Sequence, residues 1–158
     1  MSEYGLFYRD CRNRIFNYLM RLTGDYGMAG DIMQETFTRH LEHYGKDNRE
    51  IPLLYRIARN LFTDEWRRRK HFASGEMEGE EPSIDQEHRL MVRSEYRSVL
   101  SAMASLEEEE REILSLTAGG DLSYAEIASL VGISEANVKV KVHRARLKLK
   151  KLLKEGDG

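Results

Sequence analysis

The sequence predicts an all-α fold of two small helical domains joined by a flexible acidic linker, the C-terminal one containing a helix-turn-helix. Three observations lead there. Apolar residues recur at steps of three and four almost throughout, with no alternating run long enough for a strand. Two prolines in 158 residues, among many Leu, Glu, Arg and Lys, leave long stretches free to be helical. The stretch Ala73-Ser-Gly-Glu-Met-Glu-Gly-Glu-Glu-Pro-Ser-Ile-Asp85 is too poor in apolar side chains to offset chain entropy, so it reads as a linker. The expected division is a domain over 1–70, a linker over 71–87 and a domain over 88–158.

Helices are expected over 3–22, 28–45, 52–70, 86–103, 107–117, 124–131 and 135–154. Gly24 stands where a left-handed residue would end the first. Pro52 suits a first helical turn, where its missing N–H has no intrahelical partner. Ser105 precedes Leu106-Glu-Glu-Glu109, and Ser123-Tyr-Ala-Glu126 is a complete capping-box pattern. The run Glu107 to Glu110 reads as a helix N-terminus favoured by the dipole.

The formal net charge of −2 hides a segregation of sign. Residues 56–70 hold six Lys/Arg against two acids, residues 74–88 hold six acids and no Lys/Arg, and residues 139–154 hold eight Lys/Arg and no acid. No apolar run approaches the roughly 18 residues of a membrane span, and no basic-then-apolar leader is present, so a cytoplasmic protein without membrane insertion is expected. The single cysteine, Cys11, excludes an internal disulfide and reads as a small buried hydrophobe. Five scattered histidines give no zinc-ligand spacing, and there is no Gly-rich phosphate loop or nucleophile with an evident base. No catalytic residue, metal or cofactor is expected.

In the last helix Val138, Val142, Ala145, Leu149 and Leu152 share one stripe, the expected buried seam. Upstream, a short helix turns Ile127, Ala128 and Val131 inward, Gly132 permits a left-handed turn, and Ser134 caps the next helix. This is the helix-turn-helix layout, in which the first turns of the second helix meet base edges. The candidates are Glu135, Asn137, Lys139, Val140, Lys141 and Arg144: Arg and Lys donate to guanine, Asn pairs with adenine, and Val contacts a thymine methyl. Arg146, Lys148 and Lys150 are candidate phosphate contacts. Taken alone, the basic run could equally be a solvated face or a helix that docks a membrane surface or partner.

On the helix expected at 52–70, Leu54, Ile57, Ala58, Leu61 and Glu65 share one stripe. Arg56, Arg59, Asn60, Thr63, Arg67 and Lys70 stand opposite, with Tyr55, Phe62 and Trp66 along one flank. Cations beside aromatics could hold a single strand's phosphates while bases stack, although Phe62 and Trp66 at such positions are more often core residues. The second helix differs. Met33, Phe37, His40 and Tyr44 form its expected inward stripe, while Asp31, Glu35, Thr38 and Glu42, flanked by Gln34 and Arg39, face out. That acidic face is a solvated surface or a protein dock.

Taken together, Asp31-Ile-Met-Gln-Glu-Thr-Phe37, Leu54-Tyr-Arg-Ile-Ala-Arg-Asn60, Ser123-Tyr-Ala-Glu-Ile-Ala128 and His143-Arg-Ala-Arg146 resemble, in order, the small extracytoplasmic-function group of bacterial RNA polymerase sigma factors. The resemblance implies a set of partners: core RNA polymerase through its clamp coiled coil and flap, promoter DNA, and an anti-sigma factor. Polymerase binding would fall to Asp31, Gln34, Glu35 and Arg39. The −10 element would be opened, and a flipped base held, by the loop Gly45 to Glu50 with Asn48 and by Tyr55, Arg56, Arg59, Asn60, Thr63 and Arg67. The −35 duplex would be read by Ser134, Glu135, Asn137, Val138, Lys139, Lys141, Arg144 and Arg146. An autonomous helix-turn-helix regulator and a helical adaptor are the alternatives.

Overall fold

The computed structural model describes residues 2–73 and 94–156. Among these there are seven helices and no strand: α1 (Glu3–Thr23), α2 (Tyr26–Tyr44), α3 (Ile51–Ala73), α4 (Ser94–Ala104), α5 (Glu108–Ala118), α6 (Tyr124–Val131) and α7 (Glu135–Gly156). The helix expected over 86–103 is described from Ser94, and α3 takes in residues 71–73 of the expected linker. The rest of that linker, 74–87, lies outside the described residues.

The helix ends follow local chemistry. Ser2 and Asp25 cap α1 and α2, accepting from the N–H groups of Gly5 and Met28. Gly24 adopts φ 65° and donates its N–H to Met20 O, as the sequence predicts. The capping box of Ser123 and Glu126 is complete in both directions. Ser105 is a correction: it caps nothing, its hydroxyl turning back to Ser101 O at 3.3 Å, and α5 starts after Glu107 instead. Three acids, Glu108, Glu109 and Glu110, then occupy the first turn, where the helix dipole favours them.

α1, α2 and α3 pack on one another, and α5, α6 and α7 form a second group with α4 against α7. α1 also lies on α4 and α5. Its residues Tyr18, Leu19 and Met20 are consecutive and all buried, which a helix shows only when it is covered on more than one side. One apolar cluster therefore runs from Phe7 and Ile15 through Tyr55 to Ile113, Leu116, Ile127, Val138 and Val142. A smaller one gathers Met103, Leu106, Leu114 and Ala145. At roughly 1.5–3 kcal/mol for each large apolar side chain taken from water, this shared layer holds the two helical halves together. Cys11 lies within it, free and buried, and burial raises its thiol pKa.

Candidate promoter and polymerase surfaces

α6 and α7 form the expected helix-turn-helix. Ile127 and Ala128 are buried, and Gly132 sits at φ 77° with its N–H on Ala128 O. Ile133 N–H reaches the same carbonyl, closing the turn at 3.2 Å. Ser134 Oγ accepts from Asn137 N–H at 3.1 Å, which sets the start of α7. Val138, Val142 and Ala145 are buried, and Leu149 and Leu152 are partly buried against the second cluster. With the seam inward, Ser134, Glu135, Asn137, Lys139, Val140, Arg144 and Arg146 are exposed along the other side. Val138 is the exception in the predicted −35 set. It is fully buried, so its role is packing, because the seam and the reading edge alternate along one helix. Lys141 is half-buried, and its Nζ lies 2.7 Å from Glu109 Oε2. Lys148 pairs likewise with Glu110.

On α2, Asp31, Gln34, Glu35, Thr38 and Arg39 are exposed on one face, while Ile32, Thr36, Phe37 and His40 are buried. Arg39 donates to Glu35 Oε1 at 3.0 Å, and Gln34 to the Tyr8 hydroxyl at 3.2 Å. The inward stripe differs from expectation at its ends: Met33 is half-buried and Tyr44 half-exposed, because Ile32 and Thr36 take the centre of the packed face.

α3 shows the largest departure. Its buried stripe is Leu54, Tyr55, Ala58 and Phe62, so the aromatic flank belongs to the core. Arg56, Asn60 and Arg67 are exposed as predicted, and Thr63 is half-buried. Tyr55, assigned to the −10 strand, is 1% exposed and donates to Asp121 Oδ2 at 2.7 Å. Burial, then that bond, push its phenol pKa well up. Arg59 meets Glu112 Oε1 at 2.5 Å. Arg14 reaches Asp121 at 3.4 Å, and Arg21 donates from Nε and Nη2 to Ser115 O. In this arrangement Tyr55 and Arg59 face the C-terminal half.

Between α2 and α3 the loop 45–50 starts at Gly45, φ 79°. Asn48 is half-buried in it, accepting from Glu50 N–H at 3.0 Å. Arg39, His43, Tyr44, Ile57 and Asn60 line a cavity of about 180 Å³ beside the loop's start. Sequence reasoning missed Glu109, Glu112 and Asp121 as partners of predicted DNA-binding groups. Each reads as an ordinary solvated acid; docking of the halves turns Glu112 and Asp121 inward, whereas Glu109 stays exposed and meets Lys141 within the C-terminal half.

The chain matches two family models, Sigma-70 region 2 over residues 7–72 and Sigma-70 region 4 over residues 96–149. It is 33% identical over 157 residues to the ECF RNA polymerase sigma factor SigM of Bacillus subtilis, covering 94% of each chain. The chain belongs to the extracytoplasmic-function RNA polymerase sigma factors. Another similar relative is SigL of Mycobacterium tuberculosis, 32% identical over 89% of this sigma factor and 83% of that protein. Its fold is shared by the sigma factor RpoE of Bartonella quintana, solved in complex with the anti-sigma factor NepR. The TM-score is 0.76 at 19% identity, over 98% of both chains. CnrH, solved with the cytosolic domain of CnrY, gives 0.68 at 24% identity, over 96% of this sigma factor and 88% of that chain. As a member of the family, this sigma factor directs RNA polymerase to specific promoters. No helix among the described residues is long and apolar enough to cross a membrane.

Proposed function

We propose that this sigma factor divides its promoter contact between its halves. The observation that carries the reading is the exposed edge of α7, where Glu135, Asn137, Lys139 and Arg144 stand opposite a seam buried at Val138, Val142 and Ala145. A helix held so rigidly by one side presents the other to a major groove and reads the −35 duplex. Arg146 holds phosphate. Arg56, Asn60, Thr63 and Arg67 on α3, with the loop around Asn48, take the −10 strand, and the cavity beside Asn60 has room for a small planar group such as one displaced base. Tyr55 and Arg59 join them when the halves separate. Asp31, Gln34, Glu35 and Arg39 form the dock for the polymerase clamp, and the C-terminal half meets the flap. The protein works in the cytoplasm as a non-catalytic initiation factor, in a stress or envelope response. An anti-sigma protein, as in the RpoE–NepR complex, is its regulator.

Run-off transcription with purified core polymerase on a library of random promoters tests this. The expected result is a paired −35 and −10 motif recovered only with polymerase present. Tight, specific duplex binding by the chain alone would overturn it in favour of an autonomous regulator.

A further inference from the structure

His40 belongs to none of the surfaces above. It is fully buried in the last turns of α2. The Tyr4 and Tyr44 rings stack on it, 5.9 Å and 6.0 Å between centroids, and Phe7 tilts against it at 5.6 Å. Both ring nitrogens nonetheless have polar neighbours. Nδ1 lies 3.3 Å from the hydroxyl of Tyr4, which donates to Phe37 O, and Nε2 lies 3.1 Å from Asn48 Oδ1.

The Asn48 side chain decides the direction of that second bond. Its Oδ1 also accepts from Glu50 N–H. The atom facing the imidazole is therefore oxygen, and Nε2 carries the proton and donates. The other described hydrogen bonds within loop 45–50 are local: Asn48 N–H to Gly45 O, and Arg49 to Lys46 O and Asn48 O. Beyond the Gly45 N–H on Leu41 O, which ends α2, the described contacts that tie the loop to the helical body are the His40 bond and the Arg49 guanidinium over the Phe7 ring at 5.0 Å, and of these two the His40 bond is the directional one.

We propose that His40 is a positioning residue for promoter melting, holding Asn48 and with it loop 45–50 in the shape that receives the displaced −10 base. This rests on the reading of that loop given above. A polar ring in an apolar pocket is costly when unpaired, so His40 keeps its place at low cost only while Asn48 stays in reach. The fold thus favours one loop shape before DNA arrives, and a preorganised loop loses less entropy on capture. An apolar residue at position 40 would fill the pocket and leave the loop free to wander.

The test uses holoenzyme carrying His40→Leu or His40→Gln, the second keeping an amide N–H near the place of Nε2. Open-complex formation is measured on duplex promoter, and again on a promoter abasic at the captured position. The expected result is a roughly tenfold loss for His40→Leu on the intact duplex, largely restored in His40→Gln, with unchanged polymerase affinity. On the abasic promoter the variants and the parent should be equal, and in an Asn48→Ala background His40→Leu should add nothing. A His40→Leu defect that follows lost thermal stability or polymerase binding, and persists on the abasic template, overturns the proposal. If Arg56→Ala and Asn60→Ala impair opening while His40→Leu does not, the positioning role alone fails. If all three open normally, the reading of the −10 surface fails and the positioning role with it.

Discussion

Arg59 on α3 and Glu112 on α5 meet at 2.5 Å, Nε to Oε1, with side chains 25% and 13% exposed. One turn earlier on the same face, Tyr55 reaches Asp121. Both contacts hand groups fit for nucleic acid to carboxylates of the other half. Beside them Tyr18 Oη and Ser115 Oγ are buried without a hydrogen-bond partner. Each such orphan costs about 1–3 kcal/mol, which water returns when the surface opens. The contact between the halves therefore joins a shared apolar layer to buried polar groups that it leaves unpaired.

Glu112→Gln combined with Asp121→Asn should weaken docking of the halves by about 1–3 kcal/mol, since Arg59 and Arg14 lose their carboxylates. Small-angle scattering should show a larger radius of gyration in the variant, and in the parent as salt rises. A radius unchanged by both would mean that these pairs do not hold the halves together.

Seam and edge of α7 should separate cleanly. Ile127→Ala, at a fully buried site beneath the turn, should cost about 2–5 kcal/mol of stability. Arg144→Ala should cost less than about 0.5 kcal/mol, yet flatten discrimination among −35 sequences by about 1–3 kcal/mol for the base it reads. Glu109→Gln should free Lys141 and strengthen duplex binding. Thermal melts and promoter competition decide the matter; lost polymerase binding in Arg144→Ala would reassign that face.

Asp31→Arg with Glu35→Arg should abolish association with core polymerase while sparing the fold, because both side chains are exposed. A pull-down with undiminished recovery of core enzyme would move the dock elsewhere.

Alkaline pH should destabilise the docked form. Burial raises the phenol pKa of both Tyr18 and Tyr55 above the ordinary 10.0. A raised folded-state value means the unfolded chain releases its protons first. The contribution is whole below the ordinary value and is lost as pH climbs through the folded one. Tyr55→Phe should make the decline in stability above pH 10.0 shallower; an identical slope would show that Tyr55 ionises no differently in the fold.

Much was legible in the sequence where the physics is local. The seam of Val138, Val142 and Ala145, the left-handed turn at Gly132 and the capping box at Ser123 each depend on residues within a turn or two, and each stands where periodicity and cap chemistry put it. Phe62 and Trp66 stand in the core or against it, the reading their residue types favour, although a helical wheel reports which residues share a side and not what covers it.

The sequence by itself determined the helices, the turn of the reading motif, the exposed edge of α7 and the acidic face of α2, since these follow from spacing along one element. Tertiary structure alone decided which predicted DNA contacts stand free. Tyr55 and Arg59 meet partners 66 and 53 residues away, and His40 turns from a member of an apolar stripe into the anchor of a loop. The reason is physical: a side chain's second face is set by whichever element docks there, and that docking is a sum over the whole core that no local window contains.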